Sequence, residues 1–411
     1  MSKKKLLFIR GGIHKEFAYK TFFKKNCEMI MMDNPSNEQL AFADYPYCIS
    51  DVRDTEEMFN LSLDIYKNKG FDGICTFMNS PIIAIGMLSD YLGFDYLSEE
   101  TARILNNKYE VRRFLNVHGV EQLQFFKILS YEDLKRCADV LKYPFILKPT
   151  DNASSKGVII INNSDELESS YKFSLSASFN KELIAEEFID GDEYCVEVLI
   201  YNYQPYIISI SKKYVTKEKY CIELMDITPA PITEELRKII SDYITDTVRT
   251  LNIGNWLLHI EFKVDESLQP NIIEINPRAA GGNLIESIYH LKGLNLFDYF
   301  FDIMLKNEIN QEKLVEEIRK PYNGYSLFYS FINPTTSGII KKIRGIEDVR
   351  KSFKNDSERL ILFYNEGAFL PEPSSNSEFR GSLYLFDNDI DLLVSRTREI
   401  EKLIHYEFEG E

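Results

Sequence analysis

The stretches LLHIEFKV (257–264) and NIIEINPR (271–278), joined by the turn-like DESLQP (265–270), read as one β-hairpin with a wet face and a dry face. In the first strand His259, Glu261 and Lys263 alternate with Leu258, Ile260, Phe262 and Val264. In the second, Glu274, Asn276 and Arg278 alternate with Ile273, Ile275 and Pro277. Successive side chains of a strand point to opposite faces, so the polar sets share one side and the apolar sets face a core. With 265–270 as the loop, symmetric pairing sets Val264 opposite Asn271, Glu261 opposite Glu274 and His259 opposite Asn276.

Two carboxylates placed directly opposite each other repel, by about 3 kcal/mol at a separation of roughly 5 Å and an effective dielectric near 20. Solvent exposure, a shared proton that raises one pKa, or a bound divalent cation would each relieve that repulsion. A merely solvated face has no need of Asn276 in third place or of Arg278 just beyond. Two carboxylates and an amide oxygen are hard ligands suited to magnesium or manganese held against phosphate, and Arg278 suits a transferred anion. From spacing alone, an exposed acidic sheet face stays open beside the metal–phosphate site.

Upstream, KLLFI, EMIMMD, YPYCIS and DGICTF alternate with helical patterns, the rhythm of a parallel αβ layer. This predicts a small Rossmann-like domain over 1–97, in which Gly11 and Gly12 either admit a ligand to the backbone or make a tight turn. Ser80 and Pro81 read as the N-cap and first residue of the helix IIAIGMLSDYLG, and Ser98 as the start of a helix running through Lys108 to Leu115. From Tyr143 the pattern becomes strand-rich. The charged helical stretch 307–320 ahead of Pro321 marks a further boundary, and the last segment reads as strands with one or two helices. No internal repeat is visible, and the SSNS run at 374–377 reads as a loop.

The 411 residues suffice for two or three compact units. With 48 basic against 64 acidic residues, the net charge of −16 argues against a nucleic-acid-binding surface. The apolar run Leu6–Ile9 stops at Arg10, too short for a signal peptide, and no stretch approaches the roughly 20 apolar residues of a membrane span. Six cysteines without a CxxC pair fit free thiols in a reducing cytosol. A soluble, cytoplasmic protein is expected.

The dipeptide Gly-Lys is absent, so phosphate binding cannot use a Walker A loop. Lys148 ends the strand PFILKP, and the following DNASSKGV offers Ser154, Ser155, Lys156 and Gly157 as a phosphate cradle; a solvated lysine is the plain alternative. In IAEEFIDGDEYCVEV (184–198), backbone groups of Phe188 and Ile189 suit an adenine edge and Glu193 suits ribose hydroxyls. An ordinary hairpin about the DG turn is the plain alternative.

Taken in order, Lys108, Lys148, EEFIDGDE, HIE (259–261) and EINPR (274–278) resemble the ATP-grasp superfamily from the first domain to about residue 306. The entry helix RILNNKYEVRRFL, EFKV, NPRAAGG and the tail NPTTSGIIKKIRGIEDV are similar to those of L-amino acid ligases. The resemblance implies an α/β and α+β multidomain fold. Its parts are a Rossmann-like domain at 1–97, an ATP-grasp domain at 98–310 with a lid lobe at about 128–190, and a C-terminal α+β domain at 320–411 that completes the substrate site.

It further implies Lys108 and Lys148 on ATP phosphates; Glu186, Phe188 and Ile189 along the adenine; Glu193 on ribose; and Glu261, Glu274 and Asn276 on Mg²⁺, normally as two ions, with Mn²⁺ an alternative. Arg278 would steady an acyl phosphate. His259 would contact substrate, accept a proton or play an orienting part, and Gly281 and Gly282 would offer backbone N–H groups to a substrate carboxylate.

The implied activity is ADP-forming ligation of a small-molecule carboxylate to an amine, in a monomer or homodimer. Carboxylation, purine-pathway amide formation and a non-catalytic nucleotide-binding regulator are the alternatives. Two features depart from the pattern: the 148–157 loop has a single glycine, and IELMDITPAPI (222–232), where relatives carry substrate-facing residues, has no assigned role.

Overall fold

The computed structural model describes residues 3–12, 15–281 and 283–410. Four parallel strands, in the order Tyr45–Cys48, Glu28–Asp33, Lys5–Ile9, Gly73–Cys75, form the first sheet, as the αβ rhythm predicts. Gly12 takes the left-handed backbone at φ +68°. The Gly11 N–H is taken by Asp33 and its carbonyl by the Tyr19 hydroxyl, and a Cβ there would lie 2.3 Å from that hydroxyl.

The expected single helix from Ser98 to Leu115 is two helices, Glu99–Leu105 and Lys108–Val117. Asn107 interrupts it, because its side chain accepts from the backbone N–H of Tyr109 and Glu110 and so restarts the helix with Lys108 as first residue. Likewise Pro81 is the N-cap of Ile82–Leu92 and Ser80 lies outside it.

A second, antiparallel sheet of Phe125–Ile128, Leu183–Glu187, Phe145–Pro149 and Ile159–Ile161 has its own core with the helices Tyr131–Leu141 and Leu167–Ala177. The central sheet has eight strands. Their order is Pro270–Asn276, Trp256–Val264, Asp192–Tyr201, Gln204–Val215, Glu223–Thr228, Tyr325–Phe331, Gly381–Asp387, Arg359–Leu362. The C-terminal strands thus extend the sheet that carries the hairpin. The DG segment at 190–191 does not close a hairpin: Leu183–Glu187 and Asp192–Tyr201 belong to different sheets, so 188–191 is the crossing between them. A Cβ on Gly191 would sit 2.2 Å from the Val264 carbonyl oxygen, which explains the glycine at this close backbone approach.

Candidate active site

The hairpin pairs Glu261 with Glu274 and His259 with Asn276, as expected, but by a different route. Val264 pairs with Pro270 and Lys263 with Asn271, one residue out from the symmetric register. A bulge at Ile273 restores the alignment before Glu274. The two carboxylates are thereby brought face to face.

Registers across the neighbouring strands extend this polar face in three rows. His259 lies beside Glu197 and then Ser209, Glu261 beside Cys195 and then Ser211, and Lys263 beside Glu193, Lys213 and Asp226. One face of four strands therefore carries the polar side chains, while Val196, Val198, Ile260 and Phe262 bury the other.

Three lysines, Lys108, Lys213 and Lys263, lie on or against this face, and a fourth, Lys148, stands on the second sheet. Lys108 bridges Glu274 at 2.8 Å and the carbonyl of Asn152 in the 151–157 loop. Lys213, buried in its strand, pairs with Glu223 at 2.7 Å and Glu261 at 3.2 Å. Lys263 donates to the Ile189 carbonyl at 3.2 Å and lies over the Phe188 ring, so the crossing segment is held against the sheet. Lys148 pairs with Glu186, whose second oxygen takes Arg112 at 3.2 Å; Arg112 also pairs with Glu121. The Glu186 carboxylate thus orients Lys148 and ties the second sheet to the Lys108–Val117 helix.

In the loop, Ser154 and Lys156 are exposed and Gly157 is buried. Gly281 is open on the side a Cβ would occupy, and Gly282 lies outside the described residues. Arg278 donates to the Ala279 carbonyl at 2.8 Å.

Electrostatics follow from this packing. His259 Nδ1 faces Glu197 at 2.5 Å and Nε2 faces Glu261 at 3.2 Å, so two acceptors make both ring nitrogens donors. Burial opposes the charge, but Glu197 and Glu261 overcome it and raise the imidazole to about 9. Burial likewise opposes ionisation of Glu261, yet Lys213 and His259 hold its carboxyl well below the usual range. Burial lifts Glu193 to about 7 against the pull of Lys213, and pushes Asp226 well up, the more so beside Glu223. From the segment that forms the four-stranded parallel sheet, Asn79 donates to Asn276 Oδ1 at 2.6 Å and Lys15 to the Ala280 carbonyl at 2.7 Å.

Glu261, Glu274 and Asn276 supply only hard oxygens from two paired strands, and each carboxylate here is balanced by a lysine, so the donor chemistry fits magnesium. Among the described residues no three acidic, His or Cys side chains form a closed metal cage. Magnesium is commonly held by one or two carboxylates together with substrate phosphates.

Sequence reasoning missed Lys213, Glu197, Arg112, Lys15 and Asn79. The alternation Ser209, Ser211, Lys213 on an otherwise apolar strand was the available signal for Lys213.

Residues 141–287 match the ATP-grasp domain family. The chain is 24% identical over 365 residues to an L-arginine-specific L-amino acid ligase of Bacillus subtilis, covering 87% of this chain and 86% of that protein. It is 25% identical to the alanine–anticapsin ligase of Bacillus subtilis strain 168, over 61% of this chain and 57% of the relative. The fold superposes on the crystal structure of an L-amino acid ligase from Bacillus licheniformis with a TM-score of 0.83 and 23% identity, over the full length of both chains. With the polar face, its lysines and the second sheet arranged as above, the chain carries an ATP-grasp domain at 141–287 and is similar along most of its length to L-amino acid ligases.

Proposed function

We propose that this protein is an ADP-forming carboxylate–amine ligase that joins small amino-acid-like substrates through an acyl phosphate. The observation that carries this reading is the pair of facing carboxylates Glu261 and Glu274, matched by Lys213 and Lys108, with Lys148 held by Glu186 on the 125–187 sheet. ATP would lie between the 125–187 sheet and the central sheet, its adenine along Glu186, Phe188 and Ile189 and its ribose on Glu193. Lys108, Lys148 and the 154–157 loop would take the phosphates. Glu261, Glu274 and Asn276 would hold Mg²⁺, as two ions, with Mn²⁺ able to substitute. Bound there, the metal would neutralise phosphate charge.

A substrate carboxylate oxygen attacks the γ-phosphorus, the bond from that phosphorus to the ADP oxygen breaks, and ADP leaves. The amine nitrogen then attacks the acyl carbon, phosphate departs, and the amine proton is lost. This chain supplies position and charge rather than a nucleophile. Arg278 balances the developing oxyanion. His259, with both nitrogens engaged by carboxylates, orients Glu261. Gly281 leaves room for the substrate carboxylate.

The chain divides functionally into 1–97, 98–310 with its lid at about 128–190, and 320–411, and the last segment completes the substrate side. A reducing cytoplasm suits the six free cysteines. Purified protein with Mg²⁺ and ATP should release ADP and phosphate only when a suitable pair of amino acids is present. AMP as the product, or no stimulation by any pair, refutes the ligase reading.

A further inference from the structure

The serine-rich segment 374–377 proves to be braced. Ser375 caps the short turn Asn376–Glu378 with a reciprocal capping box, and Glu378 accepts from the backbone of Ser374 and Ser375 at 2.6 and 2.8 Å. Beneath it, the fully buried Arg380 donates to the carbonyls of Pro334, Glu378 and Pro371 at 2.7–2.8 Å. From this fixed base Asn376 touches two elements of the candidate site. Its backbone N–H donates to the Ser154 carbonyl at 3.1 Å, and its Oδ1 accepts from the Glu223 N–H at 2.9 Å. Ser154 and Ser155 have φ of +59° and +54°, left-handed backbone in two successive residues that are not glycine. The loop short of glycine is therefore held in a conformation it would not favour alone, and one of its carbonyls is anchored from the C-terminal segment.

We propose that Asn376 is a positioning residue. It holds the 151–157 loop in the shape that receives nucleotide phosphates and ties that loop to the strand carrying Glu223, the partner of Lys213. The inference rests on the reading of 151–157 as the phosphate loop. It assigns the C-terminal segment a part in nucleotide binding, and it explains how a loop with so little glycine can be ready before ATP arrives: pre-organisation from outside replaces adaptability within.

The test compares wild type with Asn376→Pro, Asn376→Ala and Asn376→Asp, by amide hydrogen exchange and by calorimetric titration with MgATP. Proline removes both hydrogen bonds at little cost to the turn itself. It is accepted at a first helical position, and Ser375 before it is already extended at φ −156°, ψ 169°. Loss of an ordinary hydrogen bond reads as about a fivefold change.

In Asn376→Pro, exchange at 153–157 should rise about fivefold and MgATP affinity fall about fivefold, with exchange over 325–331 and 381–387 unchanged. Asn376→Ala should speed exchange only around 223, and Asn376→Asp, which keeps the acceptor, should restore it. Wild-type loop exchange and affinity in Asn376→Pro overturn the proposal. If proline loosens the whole C-terminal segment, wild-type exchange around 223 in Asn376→Ala overturns it instead. A wild type that binds no MgATP refutes the ATP reading, while the exchange comparison still judges the anchor.

Discussion

Replacing Glu186 by glutamine tests how Lys148 is held. The Glu186 side chain is 7% exposed, Lys148 5% and Arg112 3%, so the carboxylate bridges two cations away from solvent. Burial alone would raise the Glu186 pKa, but Lys148 and Arg112 bring it below the usual carboxylate value. Glu186→Gln keeps the shape and one acceptor oxygen but presents an amide N–H₂ to the second cation. Arg112 retains Glu121, whereas Lys148 loses its ion-pair partner among the described residues. Removing one member of a buried pair costs about 3–5 kcal/mol, and the retained oxygen places this case near about 3.

The loss should be local, because the 125–187 sheet has a core of its own. Amide exchange over Phe145–Pro149 and Leu183–Glu187 should therefore accelerate by about a hundredfold, while the first sheet keeps its protection. Adding Lys148→Met should recover most of that protection by removing the stranded charge, without recovering MgATP binding. An acceleration of less than about threefold in Glu186→Gln would refute the reasoning.

Glu274→Gln should abolish Mg²⁺-dependent turnover while circular dichroism and the melting temperature stay close to wild type, since Glu274 is half-buried and faces the site; wild-type rates would remove the metal assignment. Lys15 is 8% exposed, and burial, aided by Arg278, depresses its pKa from 10.5 to about 8. Below pH 8 the ammonium is charged in both states and the folded protein bears the full burial cost. Between 8 and 10.5 the unfolded chain binds more protons, so that cost is relieved as pH rises. Lys15→Met should therefore stabilise the protein at pH 7, by at most about 3 kcal/mol before the lost bond to Ala280 is subtracted. The difference in thermal stability should close between pH 8 and 10.5; a pH-independent difference contradicts the assignment.

The hairpin was legible because alternation survives a bulge when the bulge and the shortened loop offset each other. The Glu261–Glu274 and His259–Asn276 pairs came out right although Val264 pairs with Pro270. The EEFIDGDE segment showed its polar residues but not its topology: a DG turn between two strands looks the same whether the strands pair or diverge into separate sheets. The break at Asn107 was visible in kind, since asparagine favours N-caps, but the helical period ran on past it.

Lys213 and Arg112 were hidden for a different reason. A lysine or arginine in a strand or helix reads as surface unless its acidic partners are known. Here Glu261 is brought to Lys213, and Glu186 to Arg112, only by the fold. Lys15 and Asn79 lie far along the chain from Ala280 and Asn276, and their meeting is tertiary throughout.

The central claim is that a substrate carboxylate attacks the γ-phosphorus of ATP. Its most direct test is oxygen transfer: the carboxylate substrate is labelled with ¹⁸O in both oxygens and the released phosphate is analysed by mass spectrometry after one turnover with Mg²⁺ and the amine. One labelled oxygen is expected in each phosphate, because the bridging oxygen of the acyl phosphate leaves with phosphorus. Unlabelled phosphate, or label recovered in AMP, would contradict it.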